Sequence, residues 1–198
     1  MRPRILLASS NAGKLDEYRE LAAGEALDIG LLPNFAKIPE FDESAPTFAE
    51  NSAGKALHYS RCSDEIVLAD DSGLVVPALD GAPGVRSARY AGPNASAADR
   101  VARLLREMSG KTGDERRARF VCVISIARQG RAVAIVSDRA EGFLATEPRG
   151  TNGFGYDPVF LLPDGRRTYA ELTSVEKNAV SHRGKAFRRL LHVLAPWK

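Results

Sequence analysis

The stretch EIVLADDSGLVV, Glu65 to Val76, sets two adjacent carboxylates, Asp70 and Asp71, between two apolar runs. A buried carboxylate without a partner costs several kcal/mol, so this segment restricts how the chain can fold. EIVLA and GLVVPAL read as strands on either side of the acidic pair. The pair is then either an acidic Asx-turn or a site that needs negative charge fixed on a rigid frame. Neighbouring side chains on an extended strand point to opposite faces, so the two aspartates are not expected to share a proton.

The other segments alternate in type. RILLAS reads as a short buried strand, SSNAGK as a polar turn, and KLDEYRELAA as a helix with Leu15, Tyr18, Leu21 and Ala22 at helical spacing. LDIGLLPN suggests a second strand, and FDESAP is an acidic loop carrying Asp42 and Glu43. TFAENSAGKALHYSRC reads as a helix opened by a Thr47–Glu50 capping box. SAADRVARLLREMSG is a helix with Ser96 and Asp99 as its cap and Val101, Leu104, Leu105 and Met108 on one face. ARFVCVISIARQGRAVAIVSDRAEGFLA predicts a hairpin turning at Gln129–Gly130, with a third strand through Gly142 to Ala145. PRGTNGFGYDPVFLLPDGR is a Gly-rich loop entering a short strand. TSVEKNAVSHRGKAFRRLLHVLA is one long helix, or two broken at Gly184. The order predicts a mixed α/β sheet with flanking helices, forming two lobes around a cleft within one domain over 1–198.

The chain's 198 residues, 44% hydrophobic and 27% charged, match an ordinary globular protein. It carries no apolar span long enough for a membrane helix. The apolar run of MRPRILLASSNAGK stops after Ala8, too early for a signal peptide. Cys62 and Cys122 lie outside any metal-ligand or redox spacing, which predicts a reduced, cytoplasmic chain. A net charge of +3 fits an anionic partner of unspecified kind.

Four stretches can carry chemistry. Backbone N–H groups of Ser9, Ser10, Asn11, Ala12 and Gly13, at a strand-to-helix turn with Lys14 beside them, suit a phosphate. The leading glycine and trailing Ser/Thr of a Walker loop are missing, and an ordinary N-cap with a surface lysine fits the same residues. An Asp of the ADDSG stretch facing a cleft suits Mg²⁺, with Glu43 and Glu50 as further candidate carboxylates. In TNGFGYD, glycines on both sides of Phe154 leave its ring open to stack on a flat ligand, although Phe154 and Tyr156 can equally anchor a core. In KNAVSHRGKAF, Ser181, His182 and Arg183 group hydrogen-bond donors, and Lys55 and Lys177 add charge, although a solvated helix histidine and surface ion pairs fit the same residues. No HxxxH or HxH pair suggests zinc, and no GxSxG elbow is present.

ASSNAGKLDE, TFAENSAGKA, LADDSGLVV, GAPGVRSARYAG, GTNGFGYDPVF and SHRGKAF occur in this order across nearly the whole chain. Together they resemble the non-canonical purine NTP pyrophosphatases, also called XTP/dITP diphosphatases or inosine triphosphate pyrophosphatases. The resemblance implies hydrolysis of ITP, dITP and XTP to the monophosphate and pyrophosphate with Mg²⁺, on an elongated two-lobed fold in a homodimer. It further implies Asp71 as general base and metal ligand, and Glu43 as a second metal carboxylate. Ser9, Asn11 and Lys14 would contact the triphosphate, and Ser72 the substrate. Phe154, Gly155, Tyr156 and Asp157 form the aromatic block, and Lys177, His182 and Arg183 complete the substrate contacts. Arg183 and His182 would donate to the C6 oxygen of the base. Asn152 stands where many members have glycine. The alternatives are a pyrophosphatase of modified pyrimidine nucleotides and a non-catalytic nucleotide sensor. A nucleic acid is not an expected partner, since fixed carboxylates repel a phosphate backbone, and neither is a membrane, since no apolar span is long enough to cross one.

Overall fold

The computed structural model describes residues 4–195. Its strands are β1 (Arg4–Leu7), β2 (Asp28–Leu31), β3 (Ile66–Val75), β4 (Arg117–Arg128), β5 (Arg131–Leu144) and β6 (Phe160–Leu161). Its α-helices are α1 (Ala12–Ala22), α2 (Phe48–Tyr59), α3 (Ala97–Glu107), α4 (Ser174–Val180) and α5 (His182–Leu194). The strands form one sheet in the order β2-β1-β3-β4-β5-β6. β1 pairs in parallel with β2 and β3, and β5 pairs antiparallel with β6, so the sheet is mixed as expected.

Contacts divide the chain into two compact units. The first holds Met1–Asp71, Cys122–Asp138 and Arg183–Lys198; the second holds Ser72–Val121 and Arg139–His182. In the first unit, β1 is apolar on both faces, and its alternation sorts the core into two layers. Ile5 and Leu7 join Leu68, Cys122, Ile124 and Ile126 under Tyr18 of α1 and Phe187 and Leu190 of α5. Leu6 and Ala8 face the other way, with Val67 and Ala69, against Ala56 and Tyr59 of α2. The same period of two governs β3. Even-numbered Leu68 looks toward α1 and α5, and odd-numbered Val67 and Ala69 look toward α2. The second unit gathers Leu74, Val101, Leu104 and Met108 with Phe120, Phe160, Tyr156 and Tyr169.

Four local expectations are revised. The acidic pair does not end a strand: β3 runs unbroken from Ile66 to Val75, with Asp70 and Asp71 in its middle. Partners for both carboxylates, described below, remove the need for a turn. The expected third strand at Gly142–Ala145 is the continuation of β5 to Leu144. The C-terminal helix breaks at Ser181, whose backbone is extended (φ −71°, ψ 157°), and not at Gly184. Thr47 caps α2 by accepting from the Glu50 N–H at 3.2 Å, but the Glu50 carboxylate closes on the Thr47 hydroxyl at 2.7 Å instead of the backbone. Elsewhere the local signals hold. Ser96 and Asp99 form the capping box of α3. Gln129 and Gly130 both have positive φ (49° and 74°), the geometry that a two-residue type I′ hairpin turn requires.

β6 packs closely on β5. A Cβ added at Gly142 would collide with the Leu161 carbonyl and the Phe160 ring. Gly142→Ala is therefore expected to destabilise the chain by about 1–3 kcal/mol, the usual cost of overpacking a core. A urea midpoint equal to wild type would show that β6 moves aside without cost.

Candidate active site

The alternation that sorts β3 also separates its two aspartates. Asp70 continues the Leu68 side, toward α1 and α5. Lys14 Nζ of α1 lies 2.8 Å from Asp70 Oδ1, and Arg183 Nη2 of α5 lies 3.0 Å from Oδ2. Arg183 Nη1 pairs in turn with Glu17 of α1. Asp70 and Arg183 are only 1% and 2% exposed, so these are buried charges held by mutual compensation. Burial on its own would raise the Asp70 carboxyl; Lys14 and then Arg183 outweigh it and hold the group well below the usual carboxylate range.

Asp71 continues the Val67–Ala69 side, toward α2. Asn51 Nδ2 donates to its Oδ2 at 3.1 Å. Burial pushes the Asp71 carboxyl up from 3.8 to about 6, with Lys14 and the Asn51 bond pulling down and the charge of Glu43 pushing up. Glu43 is itself paired with Lys55 Nζ at 2.6 Å. Asp71, Glu43, Lys55 and Lys14 therefore share one electrostatic neighbourhood, while Asp70 is engaged in ion pairs on the opposite face of the strand.

The SSNAGK turn is built as an N-cap. Asn11 accepts from the Lys14 N–H at 3.2 Å, and Ser9 Oγ accepts from the Asn11 N–H at 3.1 Å. Ser10, Asn11 and Ala12 are exposed, and Ser9 and Gly13 half-buried, at the N-terminus of α1. That is a ready place for an anion.

The second unit carries the remaining candidates. Ser72 follows Asp71 on β3 and is half-buried. Asp157 is buried; it accepts from the Phe154 N–H at 2.8 Å and pairs with Lys177 Nζ at 2.5 Å. Lys177 Nζ also sits 4.8 Å from the centre of the half-buried Phe154 ring. Gly153 has φ +74°, and a Cβ there would strike the Asp157 carboxylate, so this turn requires glycine. Gly155, with φ +64°, completes it. Asn152 is exposed and its amide donates to the Leu172 carbonyl at 2.9 Å, which ties the loop down without disturbing the turn. Tyr156 lies in the core, its hydroxyl donating to the Ser87 carbonyl at 2.9 Å. His182 is buried and stacks on Phe120 at 4.6 Å between ring centres. Arg183, expected at a base edge, directs donors to Asp70 and Glu17.

Three residues outside the expected site matter to it. Asp70 and Glu17 set Lys14 and Arg183, and Asn51 holds Asp71. Asn51 stands in TFAENSAGKA, and Glu17 is the last residue of ASSNAGKLDE. Their side chains act on residues distant in sequence, and local spacing carries no signal of that.

The family model described as the Ham1 family matches residues 5–193. The chain belongs to the Ham1 family. A curated relative from Geobacillus kaustophilus, named dITP/XTP pyrophosphatase, is 47% identical over 186 residues, spanning 94% of this chain and 91% of the relative. The solved structure of a HAM1 protein from Coxiella burnetii matches with a TM-score of 0.86 at 42% identity, covering 98% of this chain and 99% of that one. A nucleoside-triphosphatase / dITP/XTP pyrophosphatase from Mycobacterium abscessus matches with a TM-score of 0.72 at 38% identity, covering 96% and 99%. This Ham1 chain shares the mixed sheet and flanking helices of those structures.

The two aspartates have opposite effects on stability. The folded-state value of Asp71 is raised to about 6, so the folded chain binds the proton more tightly. Stability from this group is lost as pH rises between its ordinary value and about 6, up to ~3 kcal/mol at about 1.4 kcal/mol per pKa unit. Asp71→Asn should therefore raise the melting temperature of the metal-free protein at pH 8 and leave it unchanged near pH 4. Asp70 is depressed, so its contribution is present at pH 8 and lost on acidification. Asp70→Asn should cost about 3–5 kcal/mol at pH 8 by leaving Arg183 without its carboxylate. Melting curves that move in the same direction for both variants at pH 8 would contradict this assignment.

Proposed function

We propose that this Ham1-family chain hydrolyses deaminated purine nucleoside triphosphates (ITP, dITP and XTP) to the monophosphate and pyrophosphate in a Mg²⁺-dependent reaction. The observation that carries the residue assignment is the split within the acidic pair. Asp70 is engaged directly by Lys14 and Arg183, whereas burial raises Asp71, which sits beside Asn51 in the field of Lys14, Glu43 and Lys55. The names of the relatives support the substrate class.

The donor set suits Mg²⁺. Asp71 and Glu43 are hard oxygen ligands close enough for one charge to shift the other. Mg²⁺ commonly takes one or two protein carboxylates and completes its shell with water and substrate phosphates. Among the described residues no group of three or more His, Cys, Asp or Glu could form a closed metal cage, which fits the same preference. When bound, the ion neutralises phosphate charge and activates water.

The chain's own groups do the rest. Asp71 accepts the proton of a water that attacks the α-phosphorus. The bond to the bridging oxygen breaks, and pyrophosphate leaves. The N–H groups of Ser10, Ala12 and Gly13 and the ammonium of Lys14 hold phosphate oxygens, and Lys55 keeps the Glu43 carboxylate in place. Phe154, backed by Lys177, offers a ring face to a purine, and His182 offers a donor. Arg183 serves by setting Asp70 and, through it, Lys14. We place the enzyme in the cytoplasm as a homodimer, in keeping with two unpaired cysteines and the resemblance. No helix among the described residues is long and apolar enough to cross a membrane.

ITP incubated with the protein and Mg²⁺ should yield inosine monophosphate and pyrophosphate. Chelation should abolish turnover, and added Mg²⁺ should restore it. Asp71→Asn should lower turnover at least ~100-fold, within the usual range for a general base. Inosine diphosphate with orthophosphate as products, or near-normal turnover in that variant, would refute the mechanism.

A further inference from the structure

On the reading just given, Glu43 and Asp71 act together although they come from separate parts of the chain. Glu43 belongs to the loop before α2, and Asp71 to β3. Asn51, in the first turns of α2, is 1% exposed and touches both parts. Its Oδ1 accepts from the Ala45 N–H at 3.0 Å, and its Nδ2 donates to the Ala45 carbonyl at 3.2 Å. The same Nδ2 donates to Asp71 Oδ2 at 3.1 Å. One side-chain amide thus grips the loop backbone two residues beyond Glu43 and also reaches the strand carboxylate. The partners fix its orientation, because a flipped amide would set its oxygen against a carbonyl and a carboxylate, both acceptors.

Other contacts fasten this loop to α2. The Tyr59 hydroxyl accepts from the Phe41 N–H at 3.2 Å, and His58 Nε2 lies 2.8 Å from the Pro39 carbonyl. The Phe41 ring covers Gly54 so closely that a Cβ there would collide with it. These contacts hold the loop to the helix. Among the described residues, Asn51 is the one that hydrogen-bonds both to the loop and to Asp71.

We propose that Asn51 is a positioning residue for the divalent cation, holding the Glu43 loop and the Asp71 carboxylate in one register. Without Nδ2, Asp71 is free to rotate. Without Oδ1, Ala45 and the neighbouring Glu43 lose their anchor. Partners that orient ligating carboxylates typically change metal affinity 10–100-fold when removed.

Calorimetric titration of Mn²⁺ alone into the substrate-free protein tests this without turnover. Asn51→Ala should weaken Mn²⁺ binding at least ~10-fold. Ser52→Ala is the control for a merely structural loss. Ser52 is equally buried on the same helix, and its hydroxyl reaches the Ala69 and Val123 carbonyls at 3.1 Å and Ser125 Oγ at 2.9 Å. Ser52→Ala should lower the melting temperature as much as Asn51→Ala does while leaving Mn²⁺ affinity unchanged. Asn51→Ser, a milder change, should weaken Mn²⁺ in the same direction and keeps the test open if Asn51→Ala does not fold. Wild-type Mn²⁺ affinity in the Asn51 variants, with binding abolished in Asp71→Ala, would overturn the role of Asn51 and leave the metal reading standing. Wild-type protein that binds Mn²⁺ no better than Asp71→Ala would overturn both.

Discussion

Asp70 is a carboxylate placed where water cannot solvate it, and the first unit is arranged to compensate it. Lys14 from α1 takes one oxygen, Arg183 from α5 takes the other, and Glu17 balances the guanidinium. An apolar cluster of similar volume could be as stable. The charged cluster adds register. A one-residue slip of β3 would send every side chain to the opposite face. Asp71 would then meet the two cations and Asp70 would meet α2, an arrangement with none of the observed pairs.

With its neighbour held in this way, Asp71 can be kept under different conditions on the other face. Its partner is a neutral amide, its nearest charges are of both signs, and burial shifts its protonation upward. The two residues have the same side chain and adjacent positions. The neighbours supplied by α1 and α5 on one face and by α2 on the other lock one aspartate in ion pairs and leave the other, the proposed general base, beside a neutral amide. On the second unit, Asp157 closes the turn around Gly153 and pairs with Lys177, which sits beside Phe154.

Much of this was legible in the residues. Period-two and helical spacings located the strands and helices, and the Ser96 cap and the Gln129–Gly130 turn were readable because their determinants lie within a few residues. The unbroken β3 was not, because two adjacent aspartates look like a turn until Lys14, Arg183 and Asn51 arrive from elsewhere. The break at Ser181 has no local signal, because glycine, the usual helix breaker, lies nearby at Gly184 while the serine carries the extended backbone. The candidate site itself was reachable through six motifs in order. The supporting roles of Asn51, Glu17 and Asp70 were not, since each depends on a pairing across the fold.

The partners of Asp70 also bear on how the chain comes into being. Lys14 has left the ribosome well before Asp70 is made, whereas Arg183 lies 113 positions later. The first unit is completed by segments on both sides of the second, so neither unit is a continuous piece of chain. During synthesis, Asp70 has one of its two cations and cannot settle in its final surroundings until the last helix emerges. Closure over so long a separation is entropically slow. A ribosome that stalls before α5 would release a product lacking the guanidinium that pairs with Asp70.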